Sequence, residues 1–203
     1  MEINKEAIIL QRMNALVNAG LTYGHDTFDL ARYQELKCLL GQLTSVQSDL
    51  DSKEVGDFLR PTAWYPTPLI DVRAVVAKGN QILLVQSKAD GQWALPGGYA
   101  EIGTSPKKNV LKELKEEAGF DGEVLRLLAI FDSNQHQLQS QQYYKMFFAC
   151  AVKDGQFLVN DETMAAKFFS INDLPKLSLV RNTSEQIKRC YQIWQTKAAT
   201  VID

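Results

Sequence analysis

Residues 97–120 read GGYAEIGTSPKKNVLKELKEEAGF, and the stretch carries its own punctuation. Ser105 is a helix-capping residue, Pro106 falls at the first helical position, and Gly119 stands where a helix stops. Between them Val110, Leu111, Leu114 and Ala118 give an apolar stripe that anchors the helix to a sheet. Glu113, Glu116 and Glu117 stand at i, i+3 and i+4 and project together from another face. Like charges at that spacing repel by roughly 0.2–0.5 kcal/mol per pair, so a helix kept only for structure would sooner place lysines there. Three carboxylates together suit a hard divalent cation, Mg²⁺ or Mn²⁺, which takes oxygen ligands. The preceding Leu95-Pro96-Gly97-Gly98 turn can bring a backbone carbonyl such as that of Gly97 close to the same cation. The competing account is an acidic face turned to solvent.

Upstream of the turn, Leu69–Ala77 and Gln81–Gln86 are β-branched and apolar, and Lys78-Gly79-Asn80 between them predicts a hairpin. Downstream, strands are expected near 122–132, 142–153 and 166–170, followed by a last helix from Thr183 to about Gln195. A polar loop, Asn134–Gln142, separates the first two. Strands with one helix among them and another at the end read as an α+β fold, a mixed sheet flanked by helices.

The first sixty residues have a different grammar. Ile3, Ala7, Ile8, Leu10, Met13, Leu16 and Val17 recur at helical spacing, with Gly20 as the expected stop. Asp26 or Thr27 caps a second helix whose apolar positions run from Phe28 to Leu40, and a weaker third segment covers 47–59. Pro61–Pro68 holds three of the six prolines and reads as the linker. The expected division is therefore a small all-helical domain over 1–60 and a second domain over 61–203. Sixty residues in two or three helices bury little by themselves. They are expected to form a homodimer or to cover a cleft.

Composition excludes several classes. Apolar residues make up 45% and charged residues 23%, as in ordinary globular chains. Residues 1–60 hold nine acids and six bases, and no basic run suits a duplex nucleic acid. No apolar run reaches the roughly 20 residues of a membrane span. Cys38, Cys150 and Cys190 have no C-x-x-C spacing, which fits a reducing, cytoplasmic setting.

The 98–120 stretch resembles the signature of the Nudix hydrolase family, G-x5-E-x7-R-E-U-x-E-E-x-G-U, with U a bulky aliphatic residue. Gly98, Glu113, Leu114, Glu116, Glu117 and Gly119 fall on its positions, with Phe120 at the last apolar one. Thr104 stands where the pattern has Glu and Lys112 where it has Arg. In the family that pair mainly braces the loop, so the departures imply weaker bracing with metal binding retained. LTYGHDTFDLARYQEL, WYPTPLIDVRAVV, QWALPGG and DLPKLSLVRNTSEQI resemble a branch with a helical N-terminal domain, associated with ADP-ribose and CDP-alcohol pyrophosphatases.

What the resemblance implies is a diphosphate-cleaving hydrolase using Mg²⁺ or Mn²⁺ on Gly97, Glu113, Glu116 and Glu117. Glu162, six residues before Phe168, is the candidate for a further acid on a late loop, with a plain polar turn as its alternative. Glu101 and His136 are candidate substrate contacts, and Ser133 and Gln135 stand where the branch tends to have basic residues. Arg73 and Lys145 can meet phosphates from strand faces, with salt bridges as the competing account. Trp64, Tyr65, Tyr143 and Tyr144 can stack a base or fill a core. His25 and Arg181 read as structural. The expected substrate is a nucleoside diphosphate linked to another group. The rival readings are a non-catalytic nucleotide sensor on the same fold and a nucleoside triphosphate pyrophosphohydrolase.

Overall fold

The computed structural model describes residues 5–47, 65–136 and 141–203. The weak helical segment 47–59 (beyond Gln47), linker residues 61–64 with Trp64, and residues 137–140 of the glutamine-rich loop lie outside the described residues. The chain divides into two compact units, residues 1–68 with 138–142, and residues 69–137 with 143–203.

The first unit contains α1 (Lys5–Tyr23) and α2 (Thr27–Gln47). Gly20 does not end α1. A side chain there would sit 2.5 Å from the Tyr33 ring of α2, so glycine is a contact residue and the helix runs on one more turn. Asp26 caps α2, its Oδ1 accepting the N–H groups of Phe28 at 2.9 Å and Asp29 at 3.0 Å. Leu10 and Leu40 are buried against each other, and Lys37 Nζ donates to buried Asn18 at 2.8 Å. Ile9, Leu16, Phe28, Leu36, Leu39 and Val46 are exposed along the two helices.

The second unit is built on two sheets. The first is mixed and five-stranded, in the order β5 (Gly97–Tyr99), β1 (Leu69–Val75), β7 (Tyr143–Gly155), β6 (Phe120–Asp132), β9 (Val201–Ile202). β1 runs parallel to β7 and β6 parallel to β9, while β1–β5 and β6–β7 are antiparallel. The second sheet is antiparallel: β3 (Gln81–Ser87) pairs with β2 (Ala77–Lys78), β4 (Trp93–Ala94) and β8 (Thr163–Ser170). The predicted hairpin is thus only partly present. The chain breaks at Val76, so β1 joins the first sheet and only β2 pairs back on β3.

Three helices complete the unit: α3 (Pro106–Ala118), the short α4 (Ser133–His136), which occupies the start of the expected polar loop, and α5 (Ser184–Thr196). Strand alternation distributes their cores. Val72, Ala74 and Phe148 pack with Val110, Leu114 and Ala118 of α3. Val75, Phe147 and Phe131 pack with Ile187, Cys190 and Ile193 of α5. β3 serves both, sending Leu83 and Val85 to the first core and Ile82 and Leu84 to the second. Ser105 caps α3 through Lys108 N–H, and Gly119 ends it at φ 77°, where a side chain would meet the Gln156 carbonyl at 2.2 Å. α5 begins with a capping box formed by Thr183 and Gln186.

Candidate active site

The glycine turn between β4 and β5 is fixed from four sides. Leu95 N–H donates to Asn182 Oδ1 at 2.9 Å, and Leu95 O accepts Arg73 Nη1 at 3.3 Å. Pro96 O accepts Ala74 N–H at 2.8 Å. Gly97 N–H donates to Glu117 Oε2 at 2.8 Å. Gly97 has φ 150°, and a side chain on it would lie 2.0 Å from the Val72 carbonyl, so no other residue fits. A side chain on Gly98 would stand 3.1 Å from both carboxylate oxygens of Glu113. The turn and α3 therefore bring Glu113 and Glu117 together against bare backbone.

This arrangement is electrostatically unfavourable for two anions. Burial, with the neighbouring Glu117 charge, pushes the Glu113 carboxyl from its ordinary 4.5 up to about 7. Burial also raises Glu117, opposed by the Gly97 N–H and by the charges of Arg73 and Arg181. The Glu162 charge adds to the rise. Glu116 is more exposed, and Lys112 Nζ holds it at 2.7 Å while reaching Glu101 on the preceding loop at 3.0 Å.

The residues fit a divalent cation by chemistry. They offer hard oxygen donors, two of them destabilised as bare anions, beside a backbone turn that glycine keeps open. Among the described residues no three acidic, imidazole or thiol groups are already gathered around one point. The carboxylates stand ready, each engaged by Gly97, Lys112 or its neighbour.

The other sequence-predicted residues are distributed differently. Arg73 is buried and forks onto Asp71 at 2.8 and 2.5 Å. Burial alone would lower its pKa, but the Asp71 charge and hydrogen bonds raise it. Lys145 is also buried, and its Nζ donates to the carbonyls of Val180 and Arg181, both at 2.7 Å. Burial lowers its pKa to about 8. His136 pairs with Asp203 at 3.0 Å and packs on the Phe131 ring. Arg73, Lys145 and His136 are thus each engaged by a partner within the protein, and the Arg73 charge also acts on Glu113 and Glu117.

Ser133 Oγ accepts the Tyr143 N–H, a structural use, and Gln135 is exposed. Tyr143 is buried beneath exposed Tyr99, their rings stacked at 5.6 Å, and Tyr144 is half-exposed on the other face of β7. Arg181 stands 3.9 Å from Asp90. Lys107 and Lys108 are exposed.

Sequence reasoning missed three asparagines. Asn109, buried in the first turn of α3, exchanges hydrogen bonds with the backbone of Glu101. Asn182 fixes Leu95, and Asn160 binds the end of α3 at the Glu116 carbonyl, at 2.8 Å. A short amide inside a helix, where it competes with the backbone, was the available signal for Asn109.

Residues 67–190 match the NUDIX domain model and residues 5–59 the model for a "UDP-X-like, N-terminal oligomerisation domain". A Bacillus subtilis protein named "Putative ADP-ribose pyrophosphatase YjhB" is 45% identical over 183 residues, covering 89% of this chain and 88% of that one. A crystal structure described as a UDP-X diphosphatase is 46% identical over the whole of both chains, with a TM-score of 0.67. An ADP-ribose pyrophosphatase from Streptococcus suis is 42% identical over 68% of this chain and all of its own, with a TM-score of 0.63. A glycine turn fitted to a helix of three glutamates, within a matched stretch that covers most of the chain, places this protein in the Nudix hydrolase family.

Proposed function

We propose that the protein hydrolyses the diphosphate linkage of a nucleoside diphosphate joined to a second group, of the ADP-ribose or UDP-X kind. Water adds to one phosphorus, the bridging P–O bond breaks, and a nucleoside monophosphate leaves with a phosphorylated second group. The observation that carries this reading is half-buried Glu113 and buried Glu117 held against Gly98 and Gly97. It is a site built at electrostatic cost for positive charge. The names of the relatives, ADP-ribose pyrophosphatase and UDP-X diphosphatase, support the substrate class.

Glu113, Glu116 and Glu117, with the Gly97 carbonyl, would hold Mg²⁺ or Mn²⁺. Such an ion, when bound, offsets phosphate charge and makes bound water more acidic. Glu162, on the loop beside the end of α3, takes the proton released by the attacking water, with Glu117 as the alternative base. Lys112 steadies the Glu101 loop and Glu116 until the site is loaded. The exposed apolar residues of α1 and α2 support a second copy of the chain as the partner of the first unit, giving a homodimer.

The test is incubation with Mg²⁺ or Mn²⁺ and a panel of ADP-ribose, UDP-glucose, CDP-choline and nucleoside triphosphates, with the products resolved. Monophosphate plus a phosphorylated second group, lost with EDTA, is the expected result. Pyrophosphate from a triphosphate, or no turnover at all, would refute the reading.

A further inference from the structure

The connection from β7 to β8 grips the end of the glutamate helix through two side chains. Asn160 Nδ2 donates to the backbone carbonyl of Glu116 at 2.8 Å, and Thr163 Oγ1 donates to that of Glu117 at 2.7 Å. The last carbonyls of a helix have no partner within it, so these bonds satisfy groups that water would otherwise take. The other edge of the same asparagine does something a helix cap does not require. Its Oδ1 accepts the N–H groups of Glu162 at 3.0 Å and Thr163 at 2.8 Å, while Nδ2 also donates to Thr163 Oγ1 at 2.8 Å. On the far side, Lys88 N–H donates to the Glu162 carbonyl at 2.8 Å. Thr163 is buried.

One amide therefore ties the backbone of a helical glutamate to the backbone of the loop acid. We propose that Asn160, with Thr163 as its relay, is a positioning residue for the hydrolysis, setting Glu162 at a fixed place relative to Glu116 and Glu117. The inference rests on the proposed role of Glu162 in that reaction. Asn160 touches no substrate. It acts through the loop it closes, as residues behind a catalytic group commonly do.

The experiment compares the parent protein with Asn160→Ala, Thr163→Val, Thr163→Ser, Glu162→Gln and the Asn160→Ala/Glu162→Gln double variant. ADP-ribose hydrolysis with Mg²⁺ gives kcat and KM separately, and amide hydrogen exchange is followed over 157–163 and over α3. Asn160→Ala and Thr163→Val are expected to lower kcat by about 10- to 100-fold with little change in KM. Thr163→Ser, which keeps the hydroxyl, should restore most of it.

The double variant should be no slower than Glu162→Gln alone, because a positioning residue has nothing left to position. Exchange over 157–163 should quicken in Asn160→Ala while α3 stays protected. A double variant slowed by the product of the two single factors, or an unchanged kcat or loop exchange in Asn160→Ala, would overturn the inference. Full activity of Glu162→Gln would instead remove that acid from the proposed function. Absence of turnover by the parent on ADP-ribose, UDP-glucose and CDP-choline alike would refute that function and the positioning role with it, while exchange over 157–163 still decides whether Asn160 holds the loop.

Discussion

The Gly97 N–H meets Glu117 Oε2 at 2.8 Å at a backbone angle that only glycine tolerates, so the turn and the helix are fitted to each other directly. Gly97→Ala would drive a methyl group onto the Val72 carbonyl and misplace the donor. The expected outcome is a loss of about 3 kcal/mol or more in urea unfolding, together with loss of activity. A variant of parental stability would mean that the turn relaxes freely.

Lys112 of α3, at the signature's Arg position, reaches Glu101 on the loop before the helix at 3.0 Å. The signature has Glu where this chain has Thr104, and here Glu101, three positions earlier, supplies the carboxylate to Lys112. Glu101→Gln should leave thermal stability nearly unchanged, since the pair is exposed. It should weaken Mn²⁺ binding by about 10-fold, measured by calorimetry, and Lys112→Arg should remain close to the parent. Equal affinity in Glu101→Gln would show that the bridge contributes no bracing.

Glu116→Gln and Glu117→Gln should separate stability from turnover. Neutralising Glu117 removes a buried charge and is expected to stabilise the metal-free protein, while Glu116→Gln should leave it about as stable as the parent. Both should lose most hydrolysis. Thermal melts in EDTA alongside product assays check the pair, and retained turnover in both would remove the carboxylates from the site.

Lys145 gives a pH signature. Its folded pKa of about 8 lies below the ordinary 10.5, so between those values the unfolded chain binds a proton that the folded chain has released. Stability contributed by this group is therefore lowest below pH 8 and rises as pH climbs toward 10.5. Relative to Lys145→Met, the parent should gain stability over that window, by on the order of 3 kcal/mol at most. Denaturant midpoints measured from pH 7 to 10.5 check it, and parallel curves would count against a buried cationic Lys145.

The glutamate helix was legible because its signals are local. Ser105, Pro106, the apolar stripe and Gly119 all act within one segment, and the structure places α3 between them. The Thr183 start of α5 was readable for the same reason. The strand partners were not. Nothing in the run Leu69–Ala77 says that Val76 divides two sheets, because β1 finds its neighbours β7 and β5 far along the chain. The partners of Arg73, Lys145 and His136 were no more readable, whether two residues away on the same strand or far along the chain, because nothing in the sequence marks them as contacts. Asp71, Val180, Arg181 and Asp203 are those partners.

Strand β3 lends alternate residues to the α3 core and the α5 core, so neither can lose its packing while the strand stays in place. The second unit has no internal fault line along which half of it could melt. Its disappearance under denaturant should be all-or-none, with the fluorescence of Trp93 and Trp194 and the helical circular dichroism of this unit lost at a common midpoint. A truncation that deletes one helix forfeits the other, which sets the smallest fragment of this unit that can be expected to fold.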